Sequence, residues 1–294
     1  MDTFISSVEG NRQKLDGGAM FGNAPRPMWE KWMPADNLGR IELACRAMLI
    51  ECGDKKILCE TGIGAFFEPK LAERYGVQDP ETHHLIASLK KLKIEEDDID
   101  AVILSHLHFD HAGGLLRTYK ESQKGEKSLH FPKAKYIVGE AAWKRSQHPH
   151  MRDRVSFIPE LAQKLNESKR LVIIPEGAKQ IDSILPANIS FFYTSGHTPG
   201  HMHTLVKGKQ NTIVFCGDLI PGTAWLHSPI TMGYDRFPEQ LIDEKQDLYS
   251  RAIPEKWFFF FTHDPKYAAS KCFLDDKKKV TPMELQSELV RMKI

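Results

Sequence analysis

The chain has no long apolar run. Its densest, Trp257 to Phe261, is far short of the roughly 20 residues that a membrane-crossing helix needs. The aromatic content of that run marks a buried strand instead. The segment Met1-Asp2-Thr3-Phe4-Ile5 has neither a basic head nor an apolar core, so no secretory leader and no membrane partner is expected. Net charge is almost absent, because 40 Lys and Arg face 39 Asp and Glu, a balance of +1. A surface basic enough to neutralise nucleic-acid phosphates is therefore not expected. Cysteine is scarce: five residues, an odd number, with no C-x-x-C spacing. That fits buried thiols in a reducing, cytoplasmic setting better than a disulfide framework. Cys45, Cys52 and Cys59 recur every seven residues, and small apolar strand positions explain them better than a metal site does.

What is present is an ordinary globular composition, 41% hydrophobic and 27% charged over 294 residues, enough for a substantial core. Residues 1–40 are punctuated by Gly17-Gly18, Gly22 and Pro25-Arg26-Pro27 and read as an irregular N-terminal extension packed on the body. Trp29 and Trp32 either anchor that extension or wall an apolar pocket. A single catalytic domain is expected over 41–294. In it, residues 44–50 and 56–58 read as a hairpin turned at Gly53-Asp54. Residues 99–104 read as a strand buried on both faces. Further strands are expected over 135–138, 171–174, 190–193, 204–206, 212–216 and 257–261. Helices are expected over 82–93, 139–147, 158–168, 238–251 and 282–292. Groups of strands with helices between them suggest two sheets with helices packed outside.

The chemistry begins where strand 99–104 ends, in Ser105-His106-Leu107-His108-Phe109-Asp110-His111-Ala112-Gly113-Gly114. Imidazole and carboxylate together suit zinc and similar divalent ions. Alternate residues of an extended segment point the same way, so His106 and His108 can clasp one ion. A turn beginning near Phe109 swings Asp110 and His111 toward a second, and Gly113-Gly114 lets the backbone pass beneath. Three more strand ends offer ligands: His197 in Gly196-His197-Thr198-Pro199-Gly200-His201, Asp218 in Cys216-Gly217-Asp218, and His263 in Thr262-His263-Asp264.

This ordered set, His-x-His-x-Asp-His followed by a His, an Asp and a last His, resembles the metallo-β-lactamase superfamily over about residues 40–270. The resemblance implies an α/β fold, an αββα sandwich of two mixed sheets with the metals at the sheet edges. It implies one ion on His106, His108 and His197, a second on Asp110, His111 and His263, and Asp218 between them. It places Glu60 where the family usually has Asp, supporting a ligand from behind. His201 is expected to orient the Gly-His-Thr-Pro-Gly turn and His203 to be structural. His83, His84, His130, His148 and His150 are expected to be solvated.

Fold alone does not select the reaction. The β-lactamases proper usually differ at the positions of His111 and Asp218, and the di-iron redox branch carries Glu at that of His108. The remaining string resembles the N-acyl-homoserine lactone lactonases. Leu15 to Gly22, Phe131 to Tyr136 and His227 to Asp235 resemble the YtnP-like lactonase group. The expected function is a dinuclear zinc hydrolase opening a lactone ring, with Mn2+, Fe2+ or Co2+ as alternative ions and a small ester or lactone as partner. A homodimer is compatible with this reading. The mechanism that follows has two ions roughly 3.5–4 Å apart sharing a hydroxide, and Asp110 passing a proton to the leaving alkoxide. Phe109 would face the substrate ring, and Met20, Phe21 and Trp29 would wall an acyl chain. The lactonases carry a Tyr three residues after the bridging Asp, where this chain has Pro221, and Tyr234 or His227 are the replacements considered. A glyoxalase II-like thioesterase, another ester or phosphotriester hydrolase, and a non-catalytic metal-binding sensor are the alternatives.

Overall fold

The computed structural model describes residues 2–181 and 183–294. Most of the strands sort into two large sheets. The first has seven strands in the order Met292–Lys293, Thr3–Glu9, Arg46–Cys52, Lys55–Cys59, Ala101–Leu104, Lys135–Gly139, Leu171–Ile174. The second has six: Val280–Gln286, Ala269–Leu274, Phe258–Phe260, Thr212–Phe215, His201–Lys207, Ile189–Thr194. In each sheet parallel pairs occur beside antiparallel ones.

Alternation along the strands builds three apolar layers. Ile50, Ile57, Ile103 and Ile137 of the first sheet meet Met202, Ile213, Phe215 and Phe260 of the second, forming the filling between them. The opposite face of the first sheet, with Val102, Leu104 and Val138, is covered by Leu85, Leu89, Trp143, Leu161 and Leu165. The outer face of the second, with Val214, Phe259 and Phe261, is covered by Leu241, Leu248 and Tyr249. Helices on both outer faces and two sheets within give the αββα sandwich that the resemblance implied, with the two sheets that the strand and helix pattern led us to expect. Among the described residues no helix is long and apolar enough to cross a membrane.

Three expectations need correction. Residues 282–292, expected as a helix, instead hold strand Val280–Gln286, which pairs antiparallel with Ala269–Leu274, and the short strand Met292–Lys293. The hairpin turn is made by the Asp275 carboxylate accepting from Lys277 N and Lys279 N. Cross-strand bonds thus satisfy a backbone whose apolar spacing also fits a helix. Residues 1–40 are not irregular throughout. Thr3–Glu9 pairs along its whole length with Arg46–Cys52, and Gln13–Asp16 pairs with Arg40–Leu43. Finally, His83 and His130 are buried rather than solvated. His83 Nε2 lies 3.0 Å from Gly114 O, and His130 Nδ1 lies 2.9 Å from a Glu96 oxygen. Burial, followed by the neighbouring His130, pushes His83 down to about 3, so it acts as a neutral hydrogen-bonding group.

Candidate metal centre

Four strand ends converge at one edge of the sandwich. Strand Ala101–Leu104 leads into His106 and His108, and the one-turn helix Phe109–Ala112 then carries Asp110 and His111. His197 lies between strands Ile189–Thr194 and His201–Lys207, while Asp218 follows Thr212–Phe215 and His263 follows Phe258–Phe260. The glycine pair after the helix serves a different contact from the one expected. A Cβ on Gly114 would stand 2.1 Å from Thr61 O, and one on Gly113 2.4 Å from Ile63 O. The close approach is to the segment after strand Lys55–Cys59, and it holds the helix against the first sheet.

The seven expected ligands are brought together in two of three overlapping groups that could hold a metal ion, the third being Glu60, His106 and His111. His106, His108, His197 and Asp218 present ligand atoms within 4.8 Å of one another, as do Asp110, His111 and His263. His108 Nδ1 to His197 Nε2 is 3.3 Å, and so is His111 Nε2 to His263 Nε2. Two nitrogens sharing one tetrahedral ion at about 2.0–2.1 Å should stand about 3.3 Å apart. Asp218 reaches both groups: Oδ2 is 3.2 Å from His197 Nε2 and 3.3 Å from His111 Nε2, and Oδ1 is 3.2 Å from His263 Nε2.

The hydrogen bonds behind the imidazoles decide which nitrogen faces inward. His197 Nδ1 is 2.8 Å from Asp235 Oδ1, His263 Nδ1 is 2.7 Å from Ala44 O, and His111 Nδ1 is 2.7 Å from Glu60 Oε2. His106 Nδ1 donates to Ser105 Oγ at 2.9 Å, and Ser105 in turn donates to Glu60 Oε1. Glu60 therefore orients imidazoles of both groups, one directly and one through a serine. It does so from a left-handed backbone conformation, φ 67°, which costs an ordinary side chain about 1–3 kcal/mol and persists where the surroundings impose it. With their outer nitrogens occupied, His106, His111, His197 and His263 turn Nε2 inward. His106 Nε2 is buried with no hydrogen-bond partner among the described residues.

The electrostatics suit cations. Burial works against charge on His111 and His263, yet Glu60, Asp218 and Asp110 raise His111, and Asp218 raises His263, well above the ordinary imidazole value. Burial and the neighbouring imidazoles hold His106 and His108 well below it, so these two are neutral, as ligation requires. Burial would raise Asp218, but His111, His197 and His263 hold it well below the usual carboxylate range. An orphaned imidazole nitrogen, ligand-like spacings and a field that favours positive charge all fit the binding of divalent metal.

A narrow cavity of about 90 Å³ opens onto the cluster, lined by Met20, Phe109, Asp110, Met232 and Tyr234 among others. Of the expected pocket residues, Phe109, Met20 and Tyr234 line this cavity. Phe21 and Trp29 do not. Phe21 stacks between Trp29 and Trp225, at centroid distances of 5.6 and 4.6 Å, inside the apolar layer, so these rings anchor the segment. His227 lines a separate cavity of about 880 Å³ with Trp32 and Lys279. That cavity is the larger, but it borders neither of the two ligand groups. His201 lies under the Asp218 turn, its Nε2 3.5 Å from Asp218 N. His203 Nε2 is 2.8 Å from Thr194 Oγ1. Sequence reading missed Leu15, Tyr75 and Met232 on the cavity wall, and Asp235 and Ser105 behind the imidazoles. It also missed Arg46, buried, whose guanidinium donates to Phe261 O and Asp264 O at 3.1 Å and braces the loop bearing His263. Asp235 ends the His227–Asp235 string, but no local pattern gives it a partner 38 residues away.

An αββα sandwich that gathers imidazoles and carboxylates at one sheet edge is the architecture of a metal-dependent hydrolase. The chain belongs to the metallo-beta-lactamase superfamily, whose family model matches residues 40–263. It is 25% identical to an N-acyl homoserine lactonase of a Bacillus species over 238 residues, 76% of this chain and 82% of that one. A probable metal-dependent hydrolase from Staphylococcus aureus, of known crystal structure, matches with a TM-score of 0.84 at 28% identity over 98% of this chain and 99% of that one. A dizinc quorum-quenching lactonase, solved with a product bound, matches with a TM-score of 0.72 at 20% identity over 96% and 93%. At that identity it shares the fold.

Proposed function

We propose that this hydrolase opens the ring of a lactone, with an N-acyl-homoserine lactone as substrate class, using two zinc ions. On this reading His106, His108 and His197 hold one ion, Asp110, His111 and His263 the other, and Asp218 spans both. The observation that carries it is Asp218, one carboxylate within 3.2–3.3 Å of imidazoles from both groups. When bound at such a site, a pair of divalent ions lowers the pKa of water toward about 7 and polarises an ester carbonyl.

The chain's own residues supply the rest. Glu60, Asp235 and Ala44 O fix the imidazole tautomers before substrate arrives, so no reorganisation is needed at the reaction step. Phe109, Leu15, Met20 and Met232 offer apolar walls to an acyl chain. Tyr234 is half-exposed at the rim, and its partial burial, then the charges of Asp110, Asp16 and Tyr75, push it up to about 12. Its phenol stays neutral and can donate to a lactone carbonyl, the role left open by Pro221. Asp110 lines the cavity and can hand a proton to the leaving alkoxide. The names of the Bacillus and dizinc relatives support the lactone over other esters.

The test is a panel on zinc-loaded protein: acyl-homoserine lactones of several chain lengths, a simple lactone, a thioester, a phosphotriester and a β-lactam. Highest kcat/KM on the acyl-homoserine lactones is expected. Turnover concentrated on the thioester would assign a glyoxalase II-like reaction instead.

A further inference from the structure

Gln13 lies on strand Gln13–Asp16, outside the stretch 40–263 that matches the family model. Its side chain is wholly buried, and its Nε2 donates to Asp110 Oδ2 at 2.9 Å, across 97 positions of sequence. The other half of the amide has no such partner. Gln13 Oε1 is buried and makes no hydrogen bond among the described residues. A buried amide with an unpaired oxygen is a poor way to stabilise a fold, since an apolar side chain of similar length would fill the space and leave nothing unsatisfied. What the amide gains is its one bond, and that bond falls on Asp110.

Asp110 has few other constraints. Its oxygens stand 3.7 Å from His111 Nε2 and 3.6 Å from His263 Nε2, so rotation of the carboxylate would change which oxygen faces the second ligand group. Leu15 and Met20 follow Gln13 in the same segment and line the same cavity. The segment is held by the pairing of Gln13–Asp16 with Arg40–Leu43 and by Phe21 and Trp29 in the apolar layer.

We propose that Gln13 is a positioning residue: its amide N–H pins Asp110 Oδ2 and so sets the carboxylate's orientation toward the second ion. This rests on the reading of Asp110 as a ligand of that ion.

The test uses Gln13→Met, which keeps length and removes the donor. Partners that orient a ligand typically contribute about 10–100-fold to metal affinity or activity. Chelator competition should show a loss of that size for the weaker-bound zinc in Gln13→Met. The thermal midpoint of metal-free Gln13→Met should stay equal to or above that of the parent chain. At saturating zinc, kcat should fall with KM little changed. Unchanged affinity for both ions overturns the proposal, and so does a metal-free midpoint that falls while affinity holds, the mark of a packing role alone. The competition needs no substrate, so failure of the lactonase reading would leave it intact. If the parent chain binds fewer than two ions, the two-ion reading fails. A cycle of Gln13→Met and Asp110→Asn on metal-free thermal stability then decides: non-additive shifts support the contact, and additive shifts overturn it.

Discussion

At the scale of single residues, two aspartates share one cluster but differ in their surroundings. Asp218 is enclosed by three imidazoles from both ligand groups, at 3.2–3.3 Å. Asp110 touches one group, lines the cavity and keeps 13% of its side chain exposed. On the two-ion reading Asp218→Asn removes the charge that would hold two cations close, so metal content and activity should fall together. Asp110→Asn keeps an oxygen that can ligate but cannot carry a proton, and if Asp110 is the general acid proposed above, its loss should cost about 10²–10⁴-fold in rate. That loss should be greater on alkyl lactones than on activated aryl esters, whose leaving groups need no proton, when compared at matched metal occupancy. Equal losses on both substrates would reduce Asp110 to a ligand. The clustered imidazoles and carboxylates were legible because each stands at the end of an apolar strand, in a string with few other uses. Glu60 was legible as a supporting carboxylate through the resemblance, but its link to His106 through Ser105 was not. Asp235, Arg46 and Gln13 carry no local mark. Each acquires its meaning from a partner 38 to 218 positions away.

At the scale of elements, helix Pro238–Ala252 acts on the centre through a loop. Lys245 is fully buried on its inner face, and Nζ donates to His227 O at 3.1 Å and Ile230 O at 2.9 Å. The loop so held leads into Met232, Tyr234 and Asp235. Burial pushes the Lys245 ammonium down to about 7, against a smaller opposing pull from Asp235. The unfolded chain keeps this proton up to about pH 10.5, while the folded chain releases it from about pH 7. Between those values the unfolded state binds more protons, so this group makes stability rise with pH. Lys245→Met cannot titrate. Urea unfolding of both proteins should show the parent gaining on the variant from pH 7 toward 10, with a constant difference below about pH 6. A difference that stays flat from pH 6 to 10 would mean that the two carbonyls keep the lysine charged. Most elements were legible because strands apolar on both faces and amphipathic helices have distinct periods. The C-terminal hairpin was not, because Met283 and Leu285 sit exposed on an outer strand and no buried face imposes a period of two there. Strand Thr3–Glu9 was not, because Ser6 and Ser7 interrupt its apolar alternation. Both serines are used in bonds to the C-terminal segment, from Ser7 Oγ to Leu289 O and from Arg291 N to Ser6 Oγ.

At the scale of the whole molecule, the ligands join the two sheets. His106, His108, Asp110 and His111 hang from the first, and His197, Asp218 and His263 from the second. On the two-ion reading every ion takes ligands from both, so metal binding is also a clamp across the sandwich. Without ions the clamp is replaced by ion pairs among buried groups, Asp218 with raised His111 and His263. Such pairs hold the edge together but are weakened by the desolvation of each partner. An ion that binds only the folded chain adds stability according to its concentration, about 2.7 kcal/mol at a hundred times its Kd. Unfolding entropy scales with length, so for a chain of 294 residues that corresponds to a shift of about 4 °C in the thermal midpoint per ion. Dialysis against a chelator should therefore lower the midpoint by at least that amount, and stepwise addition of zinc should restore it in two phases, one for each group. Calorimetry with elemental analysis at each step checks both claims. Full recovery at one ion per chain would assign the clamp to a single site and overturn the two-ion reading. A midpoint that does not move would mean that the imidazole and carboxylate cluster holds the sheets together by itself.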